Sequence, residues 1–141
     1  MKNIPPDLLK EWDIVVIDDE PDSLEVARYI LDFYGAHVYT ATNGQEGLAL
    51  VQKIQPRFVI SDLSMPTMDG WEFLKALKEQ TSHNDIPVIA LTAHALKGDR
   101  ERALEAGFNN YLTKPLTANT FIDQLLSLLL AIPPLAEHLN I

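Results

Sequence analysis

Short apolar runs recur along the chain at a regular interval: Ile14-Val15-Val16-Ile17, Ala36-His37-Val38-Tyr39, Phe58-Val59-Ile60, Val88-Ile89-Ala90-Leu91 and Tyr111-Leu112. The first, third and fourth are rich in β-branched residues and show no polar alternation, the pattern of central strands covered on both faces. The second and fifth are weaker and read as strands nearer the edges. Helical periodicity fills the gaps. Asp22, with Glu25 three residues on, predicts a capped helix start, and Leu24, Ala27, Leu31 and Tyr34 lie along one face up to Gly35. Asn43 opens a second helix with Glu46 at the capping-box position, and Pro56 stops it. A third follows Gly70 through Trp71, Leu74 and Leu77, a fourth runs from Asp99 to Ala106 before Gly107, and a fifth opens at Thr117 or Asn119 and reaches about Leu130.

A strand-helix unit repeated five times predicts an α/β fold: a five-stranded parallel sheet, doubly wound, with right-handed crossovers and helices on both faces. The boundaries read as an N-terminal extension over 1–12, one domain over 13–131 and a C-terminal tail over 132–141, beginning near Pro133-Pro134. The fifth helix is unusual. Between Phe121 and Leu130 only Asp123, Gln124 and Ser127 are polar, a narrower wet stripe than a surface helix carries. Either the end segments cover the excess, or the face around helix 4, strand 5 and helix 5 meets a partner or a second copy of the chain.

Composition narrows the chemistry. The chain has 141 residues, against roughly 100–200 for one domain. No cysteine is present, which excludes disulfides, thiolate metal sites and a thiol nucleophile. Lys plus Arg is 11 and Asp plus Glu 20, a net charge of −9, which argues against a nucleic-acid surface. The apolar run Leu128–Ile132 is far short of the ~20 residues that span a bilayer, and the N-terminus lacks the apolar stretch of a secretory signal. The expectation is a cytoplasmic domain with no nucleic acid and no membrane among its partners.

In an open parallel sheet the chemistry collects beyond the carboxyl ends of the strands. Asp18, Asp19 and Glu20 follow the first run, Ser61 and Asp62 the third, Thr92 the fourth, and Thr113, Lys114 and Pro115 the fifth. Clustered carboxylates repel unless they are protonated or a cation sits among them. All-oxygen donors suit a hard ion, and a few carboxylates suit Mg²⁺. A metal, an ammonium and a hydroxyl together neutralise and bind a phosphoryl group. Carboxylates form acyl phosphates. On the third strand, Asp62 is the natural acceptor, which leaves Asp18 and Asp19 to hold the metal.

These residues resemble the receiver domain of two-component response regulators. The matching stretches are Val16–Glu20, Val59–Gly70, Ile89–Ala93 and Tyr111–Pro115, and the likeness extends over about residues 13–130. The resemblance implies a flavodoxin-like strand order 2-1-3-4-5. It implies that Asp62 accepts a phosphoryl group from a sensor histidine kinase or a histidine phosphotransfer protein. Asp19 would bind Mg²⁺ directly and Asp18 through water, with Asp62 and the backbone carbonyl of Ser64 completing the protein ligands. Thr92 and Lys114 would contact the phosphoryl oxygens, and Tyr111 would turn inward as Thr92 shifts. The Lys114-Pro115 bond would be cis. Ser64 and His94, two residues past Asp62 and Thr92, would tune how fast water removes the phosphate. The output would be a changed docking face for a downstream protein, on a phosphoacceptor that is not an enzyme on outside substrates. The chain is read as either a free-standing relay protein, the preferred expectation, or a domain of a larger one. Residues 91–100 resemble receivers joined to hybrid kinases and some stand-alone ones.

Each of these residues also has an ordinary reading. Asp18-Asp19-Glu20 could be a solvated turn before a helix, Thr92 a cap, Lys114 a surface cation and Tyr111 a plain strand aromatic. Their collection at one end of the sheet is what favours a site. The alternative activity is a Mg²⁺-dependent phosphohydrolase with an aspartyl-phosphate intermediate. Enzymes of the haloacid dehalogenase type want Asp-x-Asp at the nucleophile, and Asp62-Leu63-Ser64 lacks the second aspartate. A docking module that never takes phosphate is the third reading. The Gly-x-x-x-x-Gly-Lys nucleotide loop is absent.

Overall fold

The apolar runs form strands because their side chains are buried on both sides of a sheet. The computed structural model describes residues 4–80, 85–93 and 98–140. In chain order the elements are β1 (Asp13–Ile17), α1 (Pro21–Phe33), β2 (His37–Ala41), α2 (Gly44–Ile54), β3 (Phe58–Asp62), α3 (Gly70–Glu79), β4 (Val88–Thr92), α4 (Asp99–Ala106), β5 (Asn110–Thr113), α5 (Phe121–Leu130) and α6 (Pro133–Ala136). Among the described residues the sheet has five strands, ordered β2-β1-β3-β4-β5, and every pairing is parallel. The strand order and the doubly wound α/β architecture are as expected.

Alternation along the strands divides the interior in two. Ile14, Val16, Phe58, Ile60, Ile89, Leu91 and Leu112 face one cluster, which α1 and α5 cover. Val15, Ile17, Val59, Val88 and Ala90 face the other, with Phe73, Leu74 and Leu77 of α3 and Ala103 of α4. Phe58–Asp62 and Val88–Thr92 are buried at every position. That double coverage is why β1, β3 and β4 read as continuous apolar runs.

Local chemistry sets the helix ends. α1 starts two residues earlier than the Asp22 cap predicts: Pro21 occupies the first turn, where its missing N–H costs nothing, and Glu20 is the cap residue. Asn43 caps α2 by accepting the Glu46 N–H at 2.9 Å, while the Glu46 carboxylate accepts from the Thr42 N–H and hydroxyl. Asp69 and Glu72 form a reciprocal capping box at the start of α3. α5 begins at Phe121, later than Thr117 or Asn119, because the residues before it form a turn in which the Thr120 N–H reaches the Thr117 carbonyl at 3.3 Å.

The two end segments, read from sequence as appendages, are packed into the fold. Leu8, Leu9 and Trp12 are buried in the same cluster as Ile132, Leu135 and Leu139, together with Phe121, Ile122, Leu125, Leu126 and Leu129 of α5. The Leu9 N–H donates to the Tyr34 carbonyl at 2.9 Å, and the Asn140 N–H to the Leu8 carbonyl at 3.2 Å. The excess apolar surface of α5 is thus covered in large part by the ends of its own chain. Leu130 stays half exposed. No helix among the described residues is long and apolar enough to cross a membrane.

Candidate functional site

Strand register brings the polar residues level. Ile17 pairs with Ser61, so Asp18 stands one residue on, beside Asp62. Asp62 pairs with Leu91, and Thr92 pairs with Thr113, the residue before Lys114. The Asp18 N–H still bonds in strand fashion to the Ala41 carbonyl at 3.0 Å. That last strand-like residue turns its carboxylate into the protein, where its side chain is 0% exposed.

Lys114 closes the arrangement. Its ammonium donates to Asp18 Oδ1 at 3.0 Å, to Asp62 Oδ2 at 3.2 Å and to Glu20 Oε1. The Lys114 and Asp62 side chains are each 7% exposed, whereas Glu20 is 58% exposed. The Lys114-Pro115 bond that follows is cis, as the resemblance implies. Asp19, Glu20, Asp62, Ser64, Thr92, Ala93 and Lys114 line a common mouth of about 240 Å³. The Ser64 N–H lies 3.4 Å from Asp62 Oδ1, a long contact at the start of the loop after β3.

Gly70 anchors that loop. A Cβ built there would lie 2.2 Å from the Asp62 carbonyl oxygen, so the first turn of α3 can rest on the end of β3 only because residue 70 has no side chain. The loop's Thr67 sits at φ 68°, a left-handed conformation uncommon for a β-branched residue.

The charges are unevenly shared. Burial, and then the neighbouring Asp18 carboxylate, push Asp62 up from 3.8 to about 6, and Lys114 only partly offsets them. Burial alone would depress Lys114, but its hydrogen bonds to Glu20 and Asp18, and the charges of Asp18 and Asp62, drive it upward instead. Glu20 is held below its ordinary range by its hydrogen bond to Lys114 and that lysine's charge.

The structure therefore gathers Asp18, Asp19, Asp62, Thr92 and Lys114 at one end of the sheet, as the strand-end argument predicts, and Ser64, named by the resemblance, lines the same mouth. It adds a further acid after β1, Glu20. The mutually close carboxylates, with oxygens all within 4.8 Å, belong to Asp18, Glu20 and Asp62. Asp19, expected as the direct metal ligand, follows the end of β1 in a bend, is exposed and lines the same mouth. Glu20 was missed as a member of the cluster; its signal was its place as the cap residue of α1, where the chain turns back over the sheet. Tyr111 is half-buried against the second core cluster, opposite Ala90 on β4. His94 lies outside the described residues.

The donor set suits a divalent cation of the hard type. It is all oxygen, it carries excess negative charge, and Asp18 Oδ2 is buried with no hydrogen-bond partner among the described residues. A buried carboxylate oxygen left bare costs free energy that a cation recovers.

Comparison with known proteins agrees with this geometry. Residues 14–126 match the model of the response regulator receiver domain. The chain is 41% identical over 126 residues to a 14.6 kDa protein of Leptolyngbya boryana encoded 3′ of sodA1, covering 89% of this chain and 96% of that one. It is 32% identical to the polar-differentiation response regulator DivK of Brucella anthropi, over 82% of this chain and 94% of the relative. Among solved structures, the chemotaxis response regulator CheY4 of Vibrio cholerae superposes with a TM-score of 0.78 at 29% identity, over 85% of this chain and all of that one. Domains of this kind are signalling switches that work with histidine kinases and downstream targets. With its five-stranded order, its acidic pocket and its buried lysine, the chain belongs to the response regulator receiver domain family.

Proposed function

We propose that the chain is the phosphoacceptor switch of a two-component phosphorelay, with Asp62 as the acceptor. The observation that carries this reading is the buried Lys114 ammonium held between Asp18 and Asp62, at the end of the central strand and open to a small mouth. A carboxylate oxygen of Asp62 would attack the phosphorus of a phosphohistidine. The P–N bond breaks, the imidazole leaves, and an acyl phosphate forms on Asp62. The donor is a sensor histidine kinase or a histidine phosphotransfer protein.

Asp18, Asp19 and Asp62, with the backbone carbonyl of Ser64, would hold Mg²⁺. When bound, that ion supplies positive charge to the acceptor and to the phosphoryl oxygens. The chain's own groups do the rest. Lys114 places a fixed cation where charge develops on the transferring group. The Thr92 hydroxyl, at the end of β4 and lining the same mouth, donates to a phosphoryl oxygen. Ser64 and His94 set the access of water to the acyl phosphate, and the small Ser64 leaves room for it.

Phosphorylation adds roughly −1.5 to −2 charge at Asp62. The new contacts with Lys114 and Thr92 favour one of two pre-existing arrangements. Thr92 and Ala90 lie on one side of the sheet, and Tyr111 pairs with Ala90. Movement of Thr92 toward Asp62 therefore frees the side on which Tyr111 packs, and Tyr111 turns inward. The change reaches a groove of about 360 Å³ lined by Tyr111, Thr113, Gln124, Ser127 and Leu128, where a downstream protein or a second copy would dock. No observation favours the phosphohydrolase reading, since residue 64, two past Asp62, is serine.

The test is incubation of the protein with acetyl phosphate and Mg²⁺, read by intact mass. The wild type gains one phosphoryl group and Asp62→Asn gains none. Equal labelling of the variant ends this reading.

A further inference from the structure

We propose that Glu20 is a resting-state latch on Lys114, the partner that must let go before the lysine can grip a phosphoryl group. The inference rests on Asp62 being the phosphoacceptor. A lysine ammonium has three N–H donors. In Lys114 they face three carboxylates, those of Asp18, Asp62 and Glu20. The side chain is 7% exposed, so a new acceptor enters by replacing one of the three.

The three are not equally replaceable. Asp18 is wholly buried, and its Oδ1 also accepts the Glu20 N–H at 3.0 Å, which fixes it from the backbone. Asp62 carries the incoming group and stays. Glu20 alone of the three has an exposed side chain, at 58%, so water can solvate it once it leaves. Its backbone is pinned as the cap residue of α1, which leaves the side chain free to rotate outward. Phosphoryl oxygens that reach Lys114 therefore expel Glu20 into solvent at the rim of α1, close to Asp22.

Two consequences follow. The latch weakens the resting site's hold on phosphoryl-like anions, because each must outcompete a carboxylate already in place. It also moves one negative charge from inside the mouth to the rim as the switch fires. A competing role for Glu20, as a cation ligand within the close carboxylate group, makes the opposite prediction.

The test uses beryllofluoride, a phosphoryl mimic, titrated at saturating Mg²⁺ into the wild type, Glu20→Gln and Glu20→Ala. Exposed ion pairs are weak, so removing the latch should tighten beryllofluoride binding about two- to five-fold in Glu20→Ala, with Glu20→Gln between. A second readout needs neither metal nor mimic. The Lys114 Nζ resonance in a ¹H–¹⁵N correlation of metal-free protein should shift in Glu20→Ala. In the wild type the Glu20 carboxyl ¹³C signal should move to the position of an exposed glutamate when beryllofluoride binds. If the wild type binds beryllofluoride and Glu20→Ala binds it equally or more weakly, the latch is wrong. If the wild type binds none, the phosphoacceptor reading itself falls.

Discussion

Replacing Asp62 by asparagine should make the metal-free protein more stable, although it removes the residue at the centre of the site. Asp62 is buried beside Asp18, and these two influences raise it from 3.8 to about 6. The proton is therefore held more tightly in the folded chain than in the unfolded one. Below about pH 4 both states are protonated and the carboxyl costs nothing. Between about pH 4 and about pH 6 the unfolded chain releases its proton first, so stability falls as pH rises; above about pH 6 the whole penalty is present. A displacement of that size corresponds to a ceiling of about 3 kcal/mol at neutral pH. Because Asp62 shares its charge with Asp18 and Lys114, a gain of about 1–3 kcal/mol is expected for Asp62→Asn. At roughly 4 °C per kcal/mol for a domain of this size, Tm should rise by about 4–12 °C. The assay is urea and thermal unfolding in a chelator at pH 7.5 and again near pH 4, with both proteins side by side. The advantage of the variant should shrink toward pH 4, and Mg²⁺ added at pH 7.5 should narrow it by stabilising the wild type through binding. A variant no more stable than the wild type at pH 7.5, or an advantage independent of pH, would refute the electrostatic account of the site.

Three further outcomes are expected. Gly70→Ala forces a Cβ to within 2.2 Å of the Asp62 carbonyl, and should cost about 1–3 kcal/mol in urea unfolding while slowing labelling of Asp62; an unchanged midpoint would show that α3 can shift freely. Leu8→Ala empties a fully buried position in the first core cluster and should cost about 2–5 kcal/mol, whereas a loose extension would lose nothing measurable. Thr67→Gly relieves a left-handed residue at φ 68° and should raise stability by up to about 1 kcal/mol, since glycine's extra unfolded-state entropy cancels part of the relief; a lower midpoint would mean that the threonine side chain holds the loop.

Much of the architecture was legible in the chain because burial on both faces leaves an unmistakable mark. Ile14–Ile17, Phe58–Ile60 and Val88–Leu91 carry it, and the residues just after them are the site. Asp18, Asp62, Thr92 and Lys114 could be placed together from topology alone. The part played by Glu20 could not. Asp18, Asp19 and Glu20 are consecutive, and whether Glu20 reaches back to Lys114 depends on where β1 stops pairing and α1 begins. Pro21 marks that start, but a competing cap signal at Asp22 and Glu25 masks it. The packing of the end segments stayed open in the sequence for another reason. Leu8, Leu9, Leu135 and Leu139 stand among prolines and charges without strand or helix periodicity, so their burial comes only from tertiary packing against α5.

The hydrogen bonds between Asn140 and the Asp7-Leu8 stretch bring positions 133 residues apart in sequence into direct contact. The peptide could therefore be closed into a ring there by a short flexible bridge, with little loop entropy left to lose. New ends opened at a surface turn elsewhere would give a permuted chain with the same core and the same acidic mouth. Because this seam precedes β1 and follows α5, it lies at the opposite rim of the sheet from Asp62. Reporter proteins or surface tethers attached at the seam would leave that mouth clear for a phosphodonor.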